Sequence, residues 1–144
     1  MVFNNANCTI TSKQICFKNL NKTKSEKQLI SGWGNTKSSY VEIVYPQNIR
    51  QLQNFVKEAK PQSIIPRGLG RSYGDAAQID GGSVIELTSF KSIKINTINN
   101  TVTAGGGVTF EELISVLVPK GYFLPVTPGT RKVTVGGAIA ADVH

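Results

Sequence analysis

The chain has 144 residues, with 16 lysines and arginines against 9 aspartates and glutamates, a formal charge of +7. That length suits one domain with its own core, and a hydrophobic content of 40% excludes a disordered or fibrous chain. No apolar run approaches the roughly 20 residues that a membrane-spanning helix needs.

The excess charge is unevenly placed. Residues 1–28 carry Lys13, Lys18, Lys22, Lys24 and Lys27 against Glu26 alone, and all 14 glycines lie between Gly32 and Gly137. Composition therefore divides the chain into a polar basic arm, 1–30, and a globular part, 31–144. The arm lacks the positive start and the apolar stretch of about 7–15 residues of a secretory signal, so the expectation is a cytoplasmic protein, free or peripheral to a membrane. Cys8 and Cys16, the only cysteines, read as free thiols, because a zinc site needs about four ligands. Nucleic acid is not expected as a partner, since Phe3 and Phe17 are too far apart to interleave with the lysines.

The predicted elements start at Tyr40. Val41–Tyr45 is a β-type run closed by Pro46, and Asn48–Ala59 carries Ile49, Leu52, Phe55, Val56 and Ala59 at helical spacing. Asn48 suits the cap of that helix and Pro61 ends it. Ser63–Pro66 follows as a strand, which completes the ingredients of a parallel crossover. Ser83–Thr88 alternates as a further strand. Ile93–Thr97 and Thr101–Ala104 flank Asn99-Asn100, a hairpin signal. A second helix starts at Thr109, where Glu112 completes a capping box, and ends at Pro119 and Gly121.

Between these elements lies Arg67-Gly68-Leu69-Gly70-Arg71-Ser72-Tyr73-Gly74-Asp75, directly after a strand. Glycines let successive backbone N–H groups turn into one concavity, which suits an anion, and Arg67 and Arg71 add positive charge. A diphosphate is the natural guest. The Walker pattern fails because 67–75 holds no lysine, and the dinucleotide-binding pattern fails because Tyr73 stands where its third glycine belongs and no helical run follows. Taken alone, the loop reads equally well as a glycine-rich surface turn. A second site, Thr127-Pro128-Gly129-Thr130 with Thr134-Val135-Gly136-Gly137-Ala138, leaves room either for a flat ligand or for close packing of a helix or strand. His144, the only histidine, taken alone reads as a hydrogen-bonded structural residue, and Glu111 and Glu112 suit a helix start.

Together, Arg67–Asp75 and the Pro128–Thr130 and Thr134–Ala140 segments resemble the two flavin motifs of the vanillyl-alcohol-oxidase/PCMH family of FAD-linked oxidases, and their spacing matches as well. Ser31-Gly32-Trp33-Gly34 and the wording of the loop are most similar to the decaprenylphosphoryl-ribose-oxidase branch. The resemblance covers residues 31–144 and implies an α+β (α/β-like) fold, the first subdomain of a PCMH-type FAD-binding domain: a small sheet with a parallel crossover and two helices. It implies that Arg67, Gly68, Leu69, Gly70, Arg71, Ser72, Tyr73, Gly74 and Asp75 wrap the FAD pyrophosphate. Gly129, Thr134, Val135, Gly136 and Gly137 would line the rest. Ala141, Asp142, Val143 and His144 would approach the isoalloxazine, with His144 on the reacting side and Tyr73 and Thr130 bordering the substrate space. Several members bond FAD covalently through a histidine where this chain has Arg71, so FAD is expected to be non-covalent here.

The implied activity is oxidation of a sugar or polyprenyl-phosphate sugar at a carbon bearing a hydroxyl. The alternatives are a non-catalytic FAD- or nucleotide-binding remnant and a fragment of a sugar-lactone or alditol oxidase. Family enzymes continue through the rest of the FAD domain and a substrate domain, so this chain is expected to be incomplete and inactive alone, completed by a C-terminal half or a partner chain.

Overall fold

The computed structural model describes residues 23–144. The expectations for the arm up to residue 22, including Cys8 and Cys16, lie outside the described residues.

Two strands open the fold as an antiparallel ribbon: β1 (Lys24–Ser31) and β2 (Ser38–Tyr45), with Ser31 opposite Ser38. β3 (Ile64–Arg67) and β4 (Ser83–Glu86) complete a sheet of order β1-β2-β4-β3, in which β4 runs parallel to both neighbours. β2 alternates as a half-buried strand should, with Ser39, Val41 and Ile43 inward, and Val84 of β4 is fully buried against them. The sheet begins earlier than composition suggests, because β1 occupies residues assigned to the arm. It is an edge strand whose side chains from Lys24 to Leu29 face solvent, so its composition is that of a tail while its backbone is paired.

Helix α1 (Ile49–Glu58) starts where expected: the Asn48 side chain accepts a hydrogen bond from the Gln51 N–H at 2.9 Å. Leu52 and Phe55 are only half-buried, so the helix leans on the sheet without entering its core. The β2-α1-β3 crossover is present, but β4 has come between the two strands it joins.

The second half has its own core. β5 (Ile93–Asn96) and β6 (Thr101–Ala104) form an antiparallel hairpin, and Asn100 takes the left-handed backbone that its turn requires. Helix α2 (Phe110–Leu117) has the complete capping box, with Thr109 and Glu112 bonding reciprocally. Leu113 and Leu117 of this helix join Val108 in a buried cluster packed on Ile93, Ile95 and Val102.

Two helices were expected and a third is present, α3 (Val135–Ala140). Gly136 and Gly137 lower helix propensity enough to hide it, while the Thr134 cap is its visible signal. Among the described residues, no helix is long and apolar enough to cross a membrane.

Candidate functional site: a glycine loop facing a short helix

β3 delivers the chain at Arg67 to the edge of the sheet, and the loop that follows turns through left-handed glycines at Gly70 (φ 62°) and Gly74 (φ 64°). Some of its carbonyls are used: Arg67 O accepts from Leu87 N–H and Ser72 O from Trp33 N–H. Its donors are not. From Gly68 through Gly74, no backbone N–H finds a protein acceptor among the described residues. Such a run of unpaired donors beside a cavity suits a ligand rich in acceptors.

The cavity has a volume of about 470 Å³. The loop from Gly68 to Tyr73 forms one wall. The opposite wall is α3 and its surroundings, with Thr134, Gly137, Ala138, Ala141 and Val143 facing in. The two walls are closely fitted: a β-carbon at Gly68 would collide with the buried Thr134 side chain. None of the lining residues is a carboxylate, a lysine or a histidine.

The two arginines have different jobs. The Arg67 guanidinium does not line the cavity. It is half-buried and donates to Ala77 O at 2.8 Å and Ser31 O at 2.6 Å, and burial lowers its pKa from the ordinary arginine value. Arg71 does line the cavity. Its guanidinium carbon sits 4.2 Å from the Trp33 ring centroid, and its buried Nε has no partner among the described residues.

The N-terminus of α3 differs from the loop, because its donors are spent. Val135 N–H bonds Val108 O at 2.8 Å, Gly136 N–H bonds Gly106 O at 2.9 Å, and Gly137 N–H bonds Thr134 Oγ1 at 3.1 Å. The second motif therefore supplies a wall of small side chains, with Val135 and Gly136 turned toward 106–108.

Of the residues expected at the site, Gly68, Leu69, Gly70, Arg71, Ser72, Tyr73, Thr134, Gly137, Ala141 and Val143 border the cavity, whereas Arg67, Gly74, Asp75, Gly129, Val135, Gly136, Asp142 and His144 do not. Asp75 is exposed and paired with Lys37 at 3.1 Å, which lowers its pKa. Thr130 Oγ1 accepts from Lys132 N–H. Tyr73 stands on the rim, 79% exposed. The His144 ring is exposed and its Nδ1 lies 2.6 Å from the Asp142 carbonyl, a local contact. Ala138, on the cavity wall, and Trp33, against Arg71, had no role assigned from the sequence. The alanine was visible only as part of a run of small residues, and the tryptophan only as part of a motif.

The lining fits a dinucleotide-like flavin: unpaired amides and the Arg71 guanidinium would suit a diphosphate, and small apolar side chains leave space for a flat ring. Comparisons with known proteins agree. A family model described as FAD binding domain matches residues 42–144. The decaprenylphosphoryl-beta-D-ribose oxidase of Mycolicibacterium smegmatis is 39% identical over 119 residues, which are 80% of this chain and 26% of that protein. The FAD-linked oxidoreductase azaL of Aspergillus niger is 31% identical over 110 residues, 70% of this chain and 23% of that protein. A solved cholesterol oxidase from Brevibacterium sterolicum, 20% identical, superimposes with a TM-score of 0.73 over 96% of this chain and 27% of its own, a likeness of fold. The chain thus spans about a quarter of the length of these relatives. By the match over residues 42–144, the chain belongs to the FAD-binding-domain family.

Proposed function

We propose that this chain is the pyrophosphate-binding portion of a flavoenzyme that oxidises a sugar or a polyprenyl-phosphate sugar, with FAD held non-covalently. The unpartnered N–H run from Gly68 to Gly74 carries the binding part of this reading, since it offers fixed donors to phosphate oxygens. The Arg71 guanidinium adds a permanent charge beside them, and it is no nucleophile for a covalent flavin bond. The substrate class is supported by the 39% identity to an oxidase of a decaprenylphosphoryl ribose. When bound, FAD supplies a two-electron acceptor for the hydride of an alcohol carbon whose hydroxyl loses its proton. The residues of this chain bind and orient: the loop fixes the diphosphate, the α3 wall keeps water from the ring, and Tyr73 at the rim meets the substrate.

The absence of a carboxylate, lysine or histidine from the cavity lining favours a second reading, in which the chain binds FAD without turnover. One experiment separates the two. FAD is added to the purified chain, and the retained visible spectrum and quenched fluorescence are followed. A polyprenyl-phosphate ribose is then supplied. A retained yellow complex supports the FAD binding that both readings share, bleaching of the flavin band on addition of the substrate selects the oxidase, and failure to retain FAD overturns both. Acid precipitation should leave the flavin in solution, and a yellow pellet would overturn the non-covalent assignment.

A further inference from the structure

The segment Ser31-Gly32-Trp33-Gly34-Asn35 does not line the cavity, yet it is fastened to the loop at four points. Ser31 O accepts from the Arg67 guanidinium at 2.6 Å, and Trp33 N–H donates to Ser72 O at 2.9 Å. Gly32 lies so close that a β-carbon there would strike the carbonyls of Gly74 and Ser72. The Trp33 ring lies under the Arg71 guanidinium, 4.2 Å from ring centroid to guanidinium carbon. The segment is itself a tight turn, closed by Asn35 N–H to Gly32 O at 3.1 Å with Asn35 at a φ of 51°.

We infer that this turn is a clasp that sets the shape of the cofactor loop, with Trp33 as a positioning residue acting through Arg71. The inference rests on the FAD reading above. A ring face holds a guanidinium by its quadrupole and uses none of its N–H groups. Arg71 is thus fixed in place by the ring: its Nε is buried without a hydrogen-bond partner among the described residues, and its terminal nitrogens are left for an anion at the cavity that Arg71 lines. Arg67 is the opposite case, since its donors are committed to the Ser31 and Ala77 carbonyls. One arginine ties the turn to the loop, and the other is held by the turn for the ligand.

The test compares Trp33→Leu and Trp33→Phe with the unaltered chain by FAD titration and thermal unfolding. Trp33→Leu should weaken FAD binding about tenfold with the unfolding midpoint little changed, whereas Trp33→Phe, which keeps a ring face, should stay within about threefold. Wild-type affinity in Trp33→Leu would overturn the clasp, as would a loss of affinity in both variants alongside a falling midpoint. A second measurement does not depend on FAD. In the nuclear magnetic resonance spectrum of the free chain, the Arg71 Nε–H signal should carry a ring-current shift that Trp33→Leu abolishes. If the unaltered chain fails to bind FAD, the cofactor reading falls, while this signal still decides the clasp: an unshifted Arg71 resonance overturns it.

Discussion

The Arg67 guanidinium occupies the volume that a side chain at Gly70 would need. Gly70 is also buried and left-handed, with a φ of 62°. Gly70→Val should therefore cost at least about 1–2 kcal/mol for the backbone alone, plus displacement of Arg67. The expected outcome is a lowered denaturation midpoint and loss of FAD uptake in the titration. Unchanged affinity would show that the loop amides do not hold the cofactor.

Arg67 can be tested from the other side of the same contact. Lysine keeps the charge but cannot reach both Ser31 O and Ala77 O with a fixed fork. Arg67→Lys should destabilise the chain by about 1–3 kcal/mol, the usual cost of leaving a buried acceptor without its partner. Urea unfolding measures it directly.

Ligand preference gives a third check. If phosphate oxygens meet the Gly68–Gly74 amides, then ADP, which carries a diphosphate, should displace FAD, and riboflavin, which has none, should not. Each ligand that binds the folded chain should raise its melting midpoint with concentration. Equal competition by riboflavin would place the main contacts on the ring wall instead.

The α2 capping box makes a pH prediction. A hydrogen bond from Lys91, followed by the Thr109 backbone N–H, pulls the Glu112 carboxyl down to about 2 from its ordinary value of 4.5. The ionised form is the stabilising one. Its contribution is complete above pH 4.5 and disappears as pH falls through about 2. Because the side chain is partly exposed, Glu112→Gln should cost only about 0.5–1 kcal/mol at neutral pH. Chemical denaturation across pH 2–7 should show the variant and the parent chain converging at the acidic end.

Much of this was legible in the sequence because it is local. The caps at Asn48 and Thr109, the Asn99-Asn100 turn and the glycine loop each follow from residues within a few positions of one another. What escaped depends on distant partners. Nothing near Arg67 says that its charge serves carbonyls at 31 and 77, because that pairing exists only once β1 lies beside the loop. The Thr134–Gly137 segment resembled a ligand-binding turn, and its amides were claimed instead by carbonyls 106 and 108, brought there by the packing of the second half. β1 hid in a charged composition because an edge strand buries little.

The insertion of β4 between β2 and β3 has a consequence for folding order. Strands β2 and β3 cannot settle side by side, since neither bonds the other; both wait for a strand that the chain makes later. The register of Arg67 against Glu86 is fixed only when β4 arrives, and the loop springs from Arg67. Closing such non-local parallel pairings is entropically slow. The loop after Arg67 therefore springs from a strand whose only sheet partner, among the described residues, is β4, made by residues that come later in the chain.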